Sequence, residues 1–304
     1  INHENYHPFF GDGMIHGIRV EDGKALWYKN KFVTSPFGFG PNTHVLKHGE
    51  KIYALVEGGV SPVIMDSEMN FLEEEPFPAA DNKRFTAHPK IDSDTGEMHA
   101  VSYDFGEYVN GLGQVHYVTI DSNGKLIKDQ IIETPSRPMV HDCAITKNYV
   151  LIFDLPVTFN LGRRDDDNNP IGGDYPVVWN DKHTSRVGLQ NKKTDEIIWI
   201  EVNPGFLFHI VNSYEDDNGQ VILDFCRYER LFDFDNPLPM GQKPFLTRWI
   251  LDPKTKTCSE EMLDDRPMEF SRVHPDFDGK QHRFGYLLND GRPVSYTHLT
   301  LPTR

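Results

Sequence analysis

Three of the 14 histidines in this 304-residue chain stand where chemistry is plausible: "TAHPK" carries His88, "MVHDCAI" carries His141 and "LFHIVNSY" carries His209, each in or beside a run that reads as strand. They lie 53 and then 68 residues apart. That spacing excludes a zinc finger or an HExxH site, whose ligands are close in sequence. Three imidazoles from distant segments could still meet on one ion if the fold brings them to a common axis. Imidazole suits zinc, copper, iron or nickel, so spacing leaves the metal unnamed. Three unrelated buried histidines account for the same spacing equally well.

The elements that would have to position them are strands. Turn signals recur at "EDGK" (21), "KHGEK" (47), "DTGE" (94), "SNGK" (122), "KKTDE" (192), "DDNGQ" (216) and "PKTKT" (253). Short alternating or apolar runs flank them, among them "KIYALVEGG", "QVHYVTID", "NYVLIFDLPV", "EIIWIEV" and "QVILDFCRY". Such pairs of runs around Asn-Gly or Asp-Gly read as β-hairpins. No window longer than about ten residues keeps a helical apolar stripe free of Gly and Pro. The chain is therefore all-β, and a succession of hairpins too long for one sandwich points to a β-propeller, whose blades surround a central channel. If each blade contributes an inner strand to that channel, one imidazole per blade would reach the axis. In "FTAHPKIDSDTGEMHAV" His88 would end an inner strand, Ala87 would leave room beside it and Pro89 would fix the chain as it leaves the axis.

Composition removes other classes. The formal net charge is −15, so the basic footprint of a nucleic-acid binder is missing. The acidic runs "RRDDDNN" (163–169), "EDDNG" (215–219) and "LDDRP" (263–267) read as solvated loops, since "DDDNN" lacks the alternating spacing of an EF-hand loop. Cys143, Cys226 and Cys258 are odd in number, with no CxxC pair, which favours a reducing, cytoplasmic compartment over a disulfide framework. No apolar run approaches the roughly 18 residues of a membrane span, and no signal peptide is visible. The chain opens without an initiator Met, already in strand pattern, and "SYTHLTLPTR" (295–304) resembles translated sequencing adapter. The expected organisation is a partial propeller over residues 1–290 and a non-native tail over 291–304, and His298 in that tail is given no role.

The stretches "GDGMIHGIRVEDGKA", "NTHVLKHGEKIYALVEGG", "TAHPKIDSDTGE", "VHDCAITKNYVLIFDLPV", "FHIVNSYED" and "MEFSRVHPDFDGKQHRFGY", in that order, resemble the carotenoid cleavage oxygenase family of retinal pigment epithelial membrane protein and apocarotenoid dioxygenase type. The likeness runs from about residue 11 to about residue 288. It implies a seven-bladed propeller in the full-length family, here incomplete, holding non-haem ferrous iron, Fe(2+), on four histidines. Motif by motif, three of those are His88, His141 and His209, and the fourth lies nearer the family's C-terminus than this chain reaches. It further implies that Glu57 in "ALVEGG" and Glu269 in "MEFSR" take hydrogen bonds from iron histidines, fixing tautomer and orientation. Ser271 stands where relatives carry Pro, a change expected to loosen a loop. Cys143 is expected to be a buried structural thiol and not a ligand.

The implied reaction is cleavage of a conjugated C=C bond of a carotenoid or apocarotenoid by O2 into two carbonyl products, with an apolar polyene as the substrate and peripheral membrane contact by family analogy. Phenylalanines in "NPGFLF" and "RLFDF" would line the tunnel or fill the core. Stilbene-cleaving relatives tend to carry Lys just before the first of these glutamates, and here that residue is Val56. The chain by itself is expected to be aggregation-prone and inactive. A calcium-dependent propeller hydrolase and a non-catalytic propeller that binds a protein partner are the readings from other classes.

Overall fold

The first predicted turn, Asp22-Gly23, has both residues at positive φ, 49° and 73°. This is the two-residue hairpin turn whose twist matches that of the strands it joins. It connects β1 (Gly13–Glu21) to β2 (Lys24–Val33), which pair antiparallel. The computed structural model describes residues 13–33, 40–58, 61–72, 85–103, 113–159, 177–233 and 242–289, and the backbone of 296–300.

Four sheets follow in chain order. The first holds β3 (His44–His48), β4 (Lys51–Leu55) and β5 (Val63–Met65), and the second holds β6 (Lys90–Ile91), β7 (Met98–Tyr103), β8 (Gly113–Ile120) and β9 (Leu126–Thr134). The third holds β10 (Ala144–Ile145) and β11 (Tyr149–Asp154), departs into a separate hairpin of β12 (Val157–Phe159) and β13 (Val177–Trp179), and resumes with β14 (Arg186–Asn191) and β15 (Ile197–Glu201). The fourth holds β16 (Phe206–Glu215), β17 (Val221–Tyr228), β18 (Phe245–Asp252) and β19 (Thr257–Arg272). β19 divides its pairing. Residues 257–262 and Pro267 pair with β18, while Met268, Glu269 and Arg272 pair with β20 (Phe284–Asn289), which in turn pairs with β21 (Tyr296–Thr300). Among the described residues there is no α-helix, only a 3-10 turn at Pro275–Phe277, and no helix is long and apolar enough to cross a membrane.

Every turn predicted from sequence falls at the tip of a hairpin within these sheets. The acidic residue that opens a turn often closes it as well. Asp121 Oδ1 accepts from the N–H groups of Asn123 and Lys125, and Asp216 Oδ1 accepts from those of Asn218 and Gln220. These are Asx turns, so the run at 215–219 is used by its own backbone. "LDDRP" departs from expectation, because it lies within β19 and not in a loop. "RRDDDNN" lies outside the described residues.

The blade pattern follows from burial. In β7, β8, β11 and β17 nearly every residue is buried, whereas β9 alternates until its last turn. Middle strands covered on both faces by neighbouring sheets need continuous apolar runs, and an outer strand needs only one apolar face. The largest core cluster joins the second, third and fourth sheets through Val101, Tyr117, Phe153, Leu189, Phe225 and Trp249. β6, β10 and β16 are the first strands of their sheets, and the histidine beside or within each converges with the others on one point. Consecutive antiparallel sheets with their first strands at a shared axis are the blades of a β-propeller. The all-β propeller expectation holds.

Candidate metal centre

Each histidine reaches the axis by a different local device. His88 lies two residues before β6, so it leads into an inner strand and does not end one. His141 lies three residues before β10, in the connection from the outer edge of the second blade to the inner edge of the third. His209 is inside β16, where the register against β17 slips between Leu207 and Ile210 and again between Ile210 and Asn212. A β-bulge of this kind inserts an extra residue and re-aims a side chain that strict alternation would send elsewhere. The ligand nitrogens of the three lie within 4.8 Å of one another, with ring centroids 4.6 Å apart for His88–His141 and 5.1 Å for each of the other pairs.

Two glutamates orient the rings. His141 Nδ1 is 2.7 Å from Glu57 Oε2, and His209 Nδ1 is 2.5 Å from Glu269 Oε2. An ionised carboxylate only accepts, so Nδ1 carries the proton in both rings and Nε2 is the nitrogen left with a lone pair. Glu57 is itself held, because the Tyr103 hydroxyl donates to its other oxygen at 2.7 Å. Burial, and behind it the Glu57 charge, hold the Tyr103 phenol far above its usual pKa, so it stays a donor. Glu269 is aimed by a second bulge, between Glu269 and Arg272 against β20, where Phe270 takes a positive φ of 55° and its N–H donates to Glu269 Oε2. Ser271 is buried in that bulge, so the position marked by the missing Pro is a strand irregularity and not a loosened loop.

Electrostatics separate His88 from His141. Burial, helped by neighbouring His141, His209 and Lys90, pushes His88 well below the ordinary histidine range. For His141 burial is again the largest influence and acts downward, but the charge and hydrogen bond of Glu57, with Asp142 and Glu269, outweigh it and raise the pKa. His88 Nδ1, His88 Nε2 and His141 Nε2 are buried without a hydrogen-bond partner. Leaving such atoms unpaired costs about 1–3 kcal/mol each, and lone pairs from several rings aimed at one point are what a metal ion satisfies. The donors on offer are imidazole nitrogens, which fit a first-row transition ion and not calcium, a cation that takes oxygen ligands.

The surroundings are apolar on one side. Phe208 meets His141 edge-on at 5.0 Å, and the exposed ring of Phe270 lies 5.1 Å from His209. Phe206 and Phe232 are buried in the core cluster. Cys143 is outside the histidine group. Its thiol donates to His88 O at 3.7 Å, and burial pushes its pKa up to about 12, which keeps it from offering a thiolate. All three cysteines are free. Elsewhere Ser136 Oγ is hydrogen-bonded to His183 Nδ1 at 2.8 Å, and His183 Nε2 bonds the Asp154 backbone carbonyl at 3.2 Å and lies 2.9 Å from Asp154 Oδ1, but Arg186 Nε also engages Asp154 Oδ2 at 2.7 Å, and these contacts tie the loop at Ser136 to the turn at Asn180–His183.

Residues 40–300 match the family model described as retinal pigment epithelial membrane protein. The carotenoid cleavage oxygenase of Mycobacterium tuberculosis (strain ATCC 25618 / H37Rv) is 33% identical over 95% of this chain and 68% of its own length. The carotenoid 9,10(9',10')-cleavage dioxygenase 1 of Pisum sativum is 28% identical over 92% of this chain and 60% of its own. The crystal structure of Pseudomonas brassicacearum lignostilbene dioxygenase shares the fold with a TM-score of 0.80 at 25% identity, over 96% of this chain and 71% of that one. The chain belongs to the carotenoid cleavage oxygenase family.

Within this carotenoid cleavage oxygenase chain the structure brings together His88, His141, His209, Glu57 and Glu269, the five residues singled out from sequence. Sequence reasoning passed over Tyr103, Lys90 and Asp142. "VSYDF" and "HPK" carry no local signal of a role, and only the pairing across blades reveals one. His44 is another, with Nδ1 2.9 Å from Ala87 O and its ring 5.9 Å from that of His88.

Proposed function

We propose that this chain carries the iron-holding portion of a non-haem ferrous dioxygenase that cleaves a conjugated C=C bond of a carotenoid or apocarotenoid with O2 to give two carbonyl products. The observation behind this reading is the buried three-histidine group, with two Nδ1 atoms held by glutamates and three ring nitrogens without partners. Membership in the family and the names of the mycobacterial and pea relatives support it. The chain spans 60% of the pea enzyme, so the whole protein's reaction is carried over as a proposal, as is a fourth histidine ligand.

His88, His141 and His209 would hold the ion, which when bound supplies the site at which O2 is activated beside the alkene. Glu57 and Glu269 keep the Nδ1 protons in place and the Nε2 lone pairs on the ion, and Tyr103 keeps Glu57 from turning. Neutral imidazoles leave the ion's positive charge uncompensated. Phe208 and the exposed ring of Phe270 offer apolar surface against which a polyene can lie. Similarity to the lignostilbene dioxygenase favours a stilbene as the second reading. Val56, 8% exposed and directly before Glu57, gives that position no cation for a phenol.

The test is made on the protein expressed from its whole reading frame. Iron content is measured after anaerobic ferrous loading for wild type and for His88→Ala, His141→Ala and His209→Ala, and polyene or stilbene turnover is followed by absorbance and mass analysis of the carbonyl products. The expected result is about one iron per chain, lost in each variant, with cleavage of the polyene. Iron retained in all three variants, or activity restored by calcium alone, would overturn the reading.

A further inference from the structure

One carboxylate joins the three segments that carry the histidines. Asp142, the residue after His141, receives Lys90, two residues after His88, with Nζ 2.9 Å from Oδ1 and 3.2 Å from Oδ2. The backbone N–H of Ile210, the residue after His209, donates to Asp142 Oδ2 at 3.3 Å. Cys143 N–H donates to Oδ1 at 2.7 Å, and the Cys143 thiol reaches back to His88 O. The side chains of Lys90 and Asp142 are 9% and 1% exposed. Three blades are thus tied at one buried point by residues one or two positions after each histidine.

A buried ion pair is a weak source of stability, because desolvating both ions offsets most of their attraction, and its best-attested use is to fix register. That use fits here. The histidines come from three sheets, and His88 and His141 precede the first strand of their sheets instead of lying within a ladder. Asp142 supplies acceptors on both oxygens, and donors from all three segments fill them. Apolar packing at the same place would hold the blades together without setting the height of one histidine against another.

We propose that Lys90 and Asp142 are positioning residues of the metal centre, which set the mutual distances of His88, His141 and His209. This rests on reading those histidines as metal ligands. The probe is cobalt(II) alone, titrated into the full chain against a chelator, with the d–d absorption spectrum recorded. Asp142→Asn keeps the shape but turns an amide N–H toward Lys90 or Ile210. It is expected to weaken cobalt binding about 10- to 100-fold, the range typical of groups that orient metal ligands, and to change the d–d spectrum. The double variant Lys90→Met/Asp142→Leu removes both members of the pair together, and leaves Asp278, which also faces Lys90, with Arg272 and Lys192 as its remaining cations. It is expected to match wild type in circular dichroism and still show the same loss. Asp224→Asn, in the buried Arg248 pair of the fourth blade, is the control and should leave cobalt affinity unchanged even if it lowers the melting temperature. A folded double variant with wild-type affinity and spectrum would overturn the proposal. Wild-type protein that fails to bind cobalt would instead sink the metal reading beneath it.

Discussion

Replacing Glu57 by Gln tests whether a carboxylate sets the ligand state of His141. The wild-type side chain accepts two bonds of 2.7 Å, from His141 Nδ1 and from the Tyr103 hydroxyl. Gln can give its oxygen to one and must turn an N–H toward the other. If the oxygen faces His141, the ring keeps its tautomer but loses a charge-assisted bond, and such bonds are roughly twice as strong as neutral ones. If the amide faces His141, the proton moves to Nε2 and the ligand lone pair is lost. Net values of about 1.5–3 kcal/mol for the charged bond and about 1 for the neutral one leave a loss of about 0.5–2 kcal/mol at His141, or roughly 2- to 30-fold in metal affinity. Glu269→Gln acts on His209 through a separate carboxylate, but the two rings lie 5.1 Å apart and would share one ion, so the double variant is expected to depart from the product of the two single losses. The assay is chelator competition with zinc(II), alongside the rise in melting temperature on metal addition, which shrinks with affinity by linkage. A folded Glu57→Gln protein with wild-type affinity would refute the claim that this carboxylate controls the ring.

Two further outcomes are expected. His99 is 1% exposed with Nδ1 3.0 Å from the Tyr117 hydroxyl, and burial lowers its pKa to about 3; since an unfolded histidine titrates near 6.5, the unfolded chain binds the extra proton between those values, and stability falls as pH drops through that window by up to about 1.4 kcal/mol per unit. His99→Gln should flatten the urea midpoint against pH by about one proton, and superimposable slopes would refute this. Cys143→Ala should keep the metal stoichiometry of wild type while losing about 1 kcal/mol of stability, and a change in metal stoichiometry would show the thiol to be a ligand after all.

Legibility in the sequence tracks how local the physics is. The turns were readable because Asp22-Gly23 or Asp121 to Lys125 carry their own backbone requirements within four or five residues, and the blades were readable because a middle strand such as β11 must be apolar on both faces. The histidines were readable as candidates, since "TAHPK", "MVHDCAI" and "LFHIVNSY" sit at strand-like runs a blade apart, but their convergence depended on the resemblance. What stayed hidden is what depends on contacts between blades. Strict alternation would have sent His209 elsewhere, and only the double register slip in β16 turns it inward. The bulge after Glu269 made the Ser271 expectation fail, because a loop was inferred where β19 continues through an irregularity. Tyr103, Lys90 and Asp142 look like ordinary strand and loop residues until partners 46, 52 and 68 residues away are brought beside them. A propeller puts the first strand of every blade on one axis, so the residues flanking any axial ligand are forced close to those flanking the others. Within this architecture, polar residues one or two positions after an axial histidine are the place to look for groups that hold the ligands in register, and Lys90 and Asp142 occupy those positions.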